Sequence, residues 1–439
     1  LVSAHRSCEI KVTVHPLMPA QSNATKLRRT TKLLVVCVSI LFALLVGEIG
    51  LRIIGYTYPI FYTTDPTRGY ALRPCMQGWY RKEGAAYVRI NCQGLRDREH
   101  VQQKPPNTLR IAVIGDSYAE ALQVPVEDAF WAVMEHKLQA CPAFGGRTVE
   151  VINFGVSGYG TAQELLTLEQ QVWAYEPDVV LLAVTTNNDI TDNSRPLKKT
   201  DEIPYFILRD DQLVLDDSFR TTKAFRLRNS ALNRAGRWLR DNLRVIQAIH
   251  QAQHALKARL DARRAHTAPT AQGPTTPATN PGANQTATEA AGDAPGAELG
   301  ADNLIYRPPA DQVWQDAWRV TEALLSRMND EVKSHGAQFV VVTLSNGIQV
   351  YPDPQARQAF MQRLGVPDLL YPDTRIKSLC ERAGIPSLTL APQLQAYADE
   401  HKVFLHGFAP DLGNGHWNQT GHHVAGELIA QQLCAGLIH

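Results

Sequence analysis

Residues 109–121 read LRIAVIGDSYAEA. The apolar run 111–114 breaks at Gly115, presents Asp116 and Ser117, and turns into a helix. A serine at such a junction lies at the carboxyl end of a strand, where open α/β sheets bind ligands. It also stands beside a helix N-terminus, whose dipole favours negative charge. Ser117 is therefore placed as a nucleophile. The same tripeptide also makes an ordinary Asp-Ser helix cap, so the neighbouring pattern has to carry the choice.

Outward from this stretch, strand and helix alternate. The sequence predicts strands over 111–114, 149–153, 179–184, 339–344 and 387–390, with helices over 128–138, 162–173, 311–335 and 373–383. Such alternation describes an α/β domain with a parallel sheet and helices on both faces. It is interrupted after Asp192: a hairpin is expected over 204–214 and a helix over 230–260. That helix carries Leu232, Leu239, Leu243, Ile246, Leu256 and Leu260 on one side and arginines on the other. The arginine-rich side reads as a solvated face, with lipid headgroups or an anionic polymer as the rival reading. Residues 266–302, rich in Ala, Thr, Pro and Gly, lack the apolar surface to order themselves and read as a flexible insert.

The N-terminal third differs in kind. Residues 1–32 form a basic tail, with Lys26, Arg28, Arg29 and Lys32 before an apolar run; Met18 is a candidate start, and what precedes it is set aside. Residues 33–54 are long enough to span a bilayer, with Glu48 and Arg52 spaced to pair. A cleavable signal peptide is the rival, but no small-x-small cleavage site follows. The positive-inside rule then puts the N-terminus in the cytoplasm and the rest outside it, as a single-pass protein of the inner membrane. Residues 56–106 are an aromatic-rich extension, and 107–439 form the α/β domain with its excursion at about 193–305.

Composition excludes several classes. The net charge of +1 gives no global pull towards nucleic acid. Seven cysteines without C-x-x-C spacing suggest neither a zinc site nor a redox motif. Cys75 and Cys92 fit either a disulfide or two free thiols, and the odd count leaves at least one thiol unpaired. His406, His416, His422, His423 and Asp411 follow no recognised ligand spacing, so no metal and no cofactor is expected.

Four blocks carry chemistry: Gly115-Asp116-Ser117, the run NFGVSGYG at 153–160, Asn187-Asn188-Asp189, and Gly415-His416-Trp417-Asn418. Three directly follow strands and converge on one sheet edge. Acyl transfer needs a nucleophile, a base and oxyanion donors. Ser117, His416, a glycine loop and the Asn188 amide supply them.

In this order the four blocks resemble the SGNH hydrolases, the GDSL-like esterase and lipase superfamily, over roughly residues 107–192 and 337–439. The resemblance implies a flavodoxin-like three-layer α/β/α sandwich with a central parallel sheet. It implies Ser117 as nucleophile, His416 as base, and an oxyanion hole of the Ser117 N–H, the Gly158 N–H and the Asn188 side chain. The anchor and the extension with NCQGLRD look like those of membrane-tethered bacterial members. One departure stands out: the aspartate usual three residues before the histidine is Gly413 here. Asp411 is the expected substitute, with a Ser–His dyad or Asn414 as alternatives. The expected activity is ester hydrolysis through an acyl-serine on an acetylated glycan, lipid or other envelope ester. The alternatives are an O-acyltransferase using the same site and an inactive glycan-binding module.

Overall fold

The computed structural model describes residues 21–267 and 303–438. The expected basic tail up to residue 20 and the insert from 268 to 302 lie outside the described residues. The chain divides into two units, one comprising residues up to Tyr56 with Leu243–Val245, the other the remainder. In the first unit α1 (Gln21–Ile53) is one continuous helix. Its part Thr31–Ile53 is long and apolar enough to cross a bilayer. Glu48 and Arg52 pair at 2.7 Å, as their spacing predicts.

The second unit opens with two hairpins, β1 (Tyr62–Asp65) with β2 (Gly69–Leu72), and β3 (Gln77–Tyr80) with β4 (Ala86–Arg89). Alternation in β4 is the half-buried kind, Ala86 and Val88 inward, Tyr87 and Arg89 outward. Next come β5 (Thr108–Gly115), α2 (Ser117–Glu120), α3 (Phe130–Leu138), β6 (Thr148–Asn153), α4 (Thr161–Gln170) and β7 (Val179–Val184). The excursion holds α5 (Asp189–Asp192), α6 (Arg195–Lys198), the hairpin β8 (Tyr205–Arg209) and β9 (Gln212–Asp216), then α7 (Lys223–Arg228), α8 (Ala231–Asn242) and α9 (Arg244–Thr267). The sandwich resumes with α10 (Gln312–Ser334), β10 (Gln338–Thr343), α11 (Pro354–Leu364), α12 (Tyr371–Ala383), β11 (Ser387–Thr389), α13 (Ala391–His401) and α14 (Gln419–Gln432).

The five-stranded sheet runs β11-β10-β7-β5-β6, parallel throughout. Numbered from its first strand, that is the flavodoxin-like order 2-1-3-4-5, whose crevice opens between β5 and β7. Side-chain parity divides the core. Ile114, Leu182 and Val341 face α4, α10 and α12, whereas Val113, Leu181 and Val342 face α3, α13 and α14. Burial on both faces explains why these strands read as continuous apolar runs.

Two expectations need correction. The helix over 230–260 is two helices, broken at Leu243, and across the break Gln247 Nε2 donates to the Arg240 carbonyl at 2.9 Å. The helix at 128–138 begins at Phe130, after a single 3₁₀ turn at Val126–Asp128. Cys75 and Cys92 form a disulfide; so do Cys141 and Cys434, 293 residues apart, a pairing no spacing suggested.

Candidate active site

β5 delivers Ser117 by ending at Gly115 and handing over to α2, capped by Asp116, whose carboxylate accepts the Tyr118 N–H at 3.0 Å. The same buried carboxylate accepts from Thr185 Oγ1 and Asn188 Nδ2, both at 3.0 Å. One side chain thereby ties the turn after β5 to the turn after β7. An amide nitrogen carries two donors, so Asn188 keeps one N–H beyond the bond that orients it. The Ser117 N–H, in the first turn of a helix, has no intrahelical acceptor.

The loop after β6 is pinned from both sides. The Ser157 N–H donates to Glu120 Oε2 at 2.5 Å, and the Ser157 carbonyl accepts the Tyr70 hydroxyl at 2.8 Å. Gly158 follows directly. Glu120 is itself held by the Tyr62 hydroxyl at 2.9 Å, and burial pushes its carboxyl above the usual range. Tyrosines of the first hairpin thus brace the glycine loop.

His416 precedes α14. Its Nε2 accepts the Ser117 hydroxyl at 2.8 Å. Its Nδ1–H donates to Glu83 Oε2 at 2.5 Å, and its backbone N–H donates to Glu83 Oε1 at 2.8 Å. Burial opposes a charged imidazole, but the Glu83 carboxylate outweighs it and lifts the His416 pKa above the ordinary histidine value. In return His416 holds Glu83 below the usual carboxylate range, against the opposing effect of burial.

Glu83 is the residue that sequence reasoning missed. It sits in the loop between β3 and β4, 333 residues from its partner, in the segment read as an extension. Only the lack of an aspartate before His416 signalled that an acid had to come from elsewhere. Asp411, the expected acid, is exposed and accepts from Asn414 Nδ2 at 2.9 Å, which also occupies the other candidate orienter. The usual position cannot carry a side chain. Gly413 has φ +90°, and a Cβ there would lie 2.4 Å from the Tyr351 ring. Gly415 has the complementary role: at φ +75°, a Cβ would lie 2.4 Å from Glu83 Oε1, so glycine leaves the space the carboxylate fills.

A buried network fixes the segment bearing His416. Trp417 Nε1–H donates to Ser345 Oγ at 2.9 Å, the Ser345 hydroxyl donates to His406 Nε2 at 3.0 Å, and His406 Nδ1–H donates to the Gly415 carbonyl at 2.8 Å. Burial lowers the His406 pKa to about 4, so it stays neutral and its tautomer follows from these bonds. His422 is buried and accepts from the Phe130 N–H at 3.3 Å, while His423 pairs with Glu427 on the surface. These histidines are structural. The NCQGLRD segment supports the serine turn from below: Asn153 Nδ2 donates to the carbonyls of Ala119, at 2.9 Å, and Arg96, at 3.2 Å.

The fold and this edge define a flavodoxin-like α/β sandwich bearing a Glu–His–Ser hydrogen-bonded chain at its topological switch point. No family model and no curated protein matches the sequence. Among solved structures the chain is similar to LAE5, an alpha/beta hydrolase enzyme from the metagenome of Lake Arreo, Spain, at 13% identity and TM-score 0.34, over 75% of this chain and 96% of that one. It is similar to Axe2, an acetylxylan esterase from Geobacillus stearothermophilus, at 12% identity and TM-score 0.33, over 75% and 96%. It is also similar to TesA, at 12% identity and TM-score 0.31, over 75% and 99%. What this chain does is therefore read from its own site.

Proposed function

We propose that this chain is an SGNH-type serine ester hydrolase. The observation that carries the reading is the unbroken chain Ser117 Oγ–His416–Glu83, at 2.8 and 2.5 Å. His416 Nε2 takes the hydroxyl proton as Ser117 Oγ bonds to the ester carbonyl carbon. Glu83 stabilises the imidazolium through Nδ1–H. The N–H groups of Ser117 and Gly158 and the Asn188 amide receive the oxyanion. The proton on His416 then goes to the leaving alcohol, and the acyl-Ser117 ester is left. Water, deprotonated by His416, attacks that ester, and the carboxylic acid and the free serine are restored. Asp411 has no part in this reading.

The reading extends to location. α1 would hold the protein in the inner membrane by one span, with the basic residues before it on the cytoplasmic side and the catalytic unit outside. Two disulfides in that unit support an oxidising compartment. The substrate would then be an ester of the envelope, such as an acetylated glycan or a lipid.

The test is p-nitrophenyl acetate turnover by the full chain in detergent, alongside labelling by a serine-directed phosphonate. Ser117→Ala and His416→Ala are each expected to lower kcat by roughly 10⁴–10⁶-fold. A folded wild-type chain that neither turns over the ester nor takes the label at Ser117 would overturn the proposal. Labelling without hydrolysis would replace water by another acceptor and make the enzyme an acyltransferase.

A further inference from the structure

α8 is docked the wrong way round for a helix of a water-soluble domain. Its sequence ALNRAGRWLRDN is strongly two-faced, with about 100° between successive residues. Leu232, Ala235 and Leu239 share one face, while Asn233, Arg237 and Asp241 lie opposite. In an ordinary amphipathic helix the leucine face packs inward. Here the polar side holds the body: Asp241 takes both Arg73 nitrogens, at 3.0 and 2.6 Å. Just before α8, Thr64 Oγ1 donates to Asn229 Oδ1 at 2.6 Å and Arg228 pairs with Glu202 at 2.7 Å. The apolar residues are left in the open, with Leu232 80% exposed, Trp238 63% and Leu227, at the end of α7, 62%.

We infer that this face of α8, with Leu227, lies in the lipid surface of the membrane to which α1 tethers the chain. Its apolar side chains would sit at the acyl boundary, and the exposed basic residues Lys223, Arg226 and Arg234 on anionic headgroups. The charge pattern selects this occupant. From Arg220 to Arg240 the chain carries seven Lys or Arg residues and no Asp or Glu. A basic helix with leucines and a tryptophan on its open side is the composition of an interfacial helix. The chain's own insert does not fit the face, because residues 268–302 contain one large apolar residue, Leu299. Connectivity favours the bilayer too: three residues separate Ile53, where the candidate span ends, from Thr57, where the second unit begins, so the encounter is intramolecular. The inference rests on α1 being an anchor, and the experiment separates the two.

The full chain is reconstituted into phosphatidylcholine vesicles, with or without phosphatidylglycerol, and extracted with alkaline carbonate. The emission of Trp238 is then isolated as the difference between wild type and Trp238→Phe, with lipids brominated in the acyl chain as quencher. The expected result is a chain that resists extraction and a blue-shifted Trp238 emission that loses most of its intensity to brominated lipid. The loss should be larger with phosphatidylglycerol. Leu232→Glu with Leu239→Glu should return that emission to its aqueous position at an unchanged melting temperature. A chain that resists extraction while Trp238 stays red-shifted and unquenched overturns the docking and leaves the anchor standing. A chain released by carbonate overturns the anchor and the docking with it. A Trp238 blue shift that depends on protein concentration and not on lipid assigns the face to a second copy and overturns the inference.

Discussion

The two ends of the Ser117–His416–Glu83 hydrogen-bonded chain are built differently. Ser117 is 4% exposed, at the tip of a strand buried on both faces, with Asp116 capping the helix that follows. Glu83 has a side chain 25% exposed, lies in a hairpin loop, and its carboxylate is held by the His416 ring and backbone N–H. Disturbing the serine turn disturbs the sandwich, whereas the glutamate stands on a hairpin loop and not on the five-stranded sheet. Placement of the serine is a property of the fold, and orientation of the imidazole is a property of one contact.

The largest effect that would sharpen this contrast is on turnover. Glu83→Gln keeps the shape and removes the charge, and should lower kcat by on the order of 10⁴-fold. The Gln amide offers one acceptor oxygen where the carboxylate offers two, so one of the two bonds from His416 is lost and the unfolding midpoint should fall by no more than a few degrees. Asp411→Asn should leave both quantities unchanged, and an equal loss in the two variants would break the assignment. Next in size is Gly415→Ala. Its methyl would lie 2.4 Å from Glu83 Oε1 and push the carboxylate aside, and such displacement should cost roughly 10²-fold in kcat/KM without touching a reacting group. Wild-type turnover by this variant would show that Glu83 is not held where the geometry puts it.

The third effect is a shift in the pH profile. His416 must be neutral to accept the serine proton, and burial, which lowers its pKa, is outweighed by Glu83, which raises it. The acid limb of kcat/KM, which reports the free enzyme, should therefore lie above pH ~6.5 in the wild type. In Glu83→Gln it should move to lower pH, since the group that raises the pKa is gone. A limb that stays in place would separate Glu83 from the base.

The smallest effect lies on the sheet side. Glu164 in α4 is fully buried and neither carboxylate oxygen has a hydrogen-bond partner among the described residues; burial, with Asp116 and Asp192 nearby, pushes its pKa well above the usual value. A carboxyl raised on folding binds more protons in the native state. Its contribution is full below the unfolded pKa of about 4.3 and is lost as pH rises towards the folded one. Glu164→Gln should flatten this decline by roughly 1–3 kcal/mol, read as a few degrees in melting temperature towards neutral pH. Glu83→Gln should not flatten it, and a flattening there would blur the distinction between the two regions.

Legibility follows the same division. The strand at 111–114, its turn and the helix start are local grammar, visible in a dozen residues, and the positions of Ser117, Gly158 and Asn188 inherit it through the rule that parallel strands share a carboxyl edge. His416 was legible as an imidazole before the last helix. Glu83 was not, because the loop at 81–85 has no periodicity and its partner is 333 residues away. Asp411 was the reasonable nearby acid. It fails because the turn directs its carboxylate to Asn414, a matter of backbone conformation that spacing does not express. The Cys141–Cys434 disulfide was hidden as well, since it joins the residues after α3 to those after α14, 293 positions apart.

The amino-acid sequence by itself determined the parallel α/β sandwich, the apolar N-terminal helix, and the serine and histidine that face one another. Each depends on short-range periodicity, turn chemistry or strand direction. Only the tertiary structure decided which carboxylate meets the imidazole, which cysteines at 141 and beyond pair, and which face of α8 is left uncovered. Those outcomes depend on packing between segments hundreds of residues apart, where many sequence pairings are sterically open and the folded core admits one.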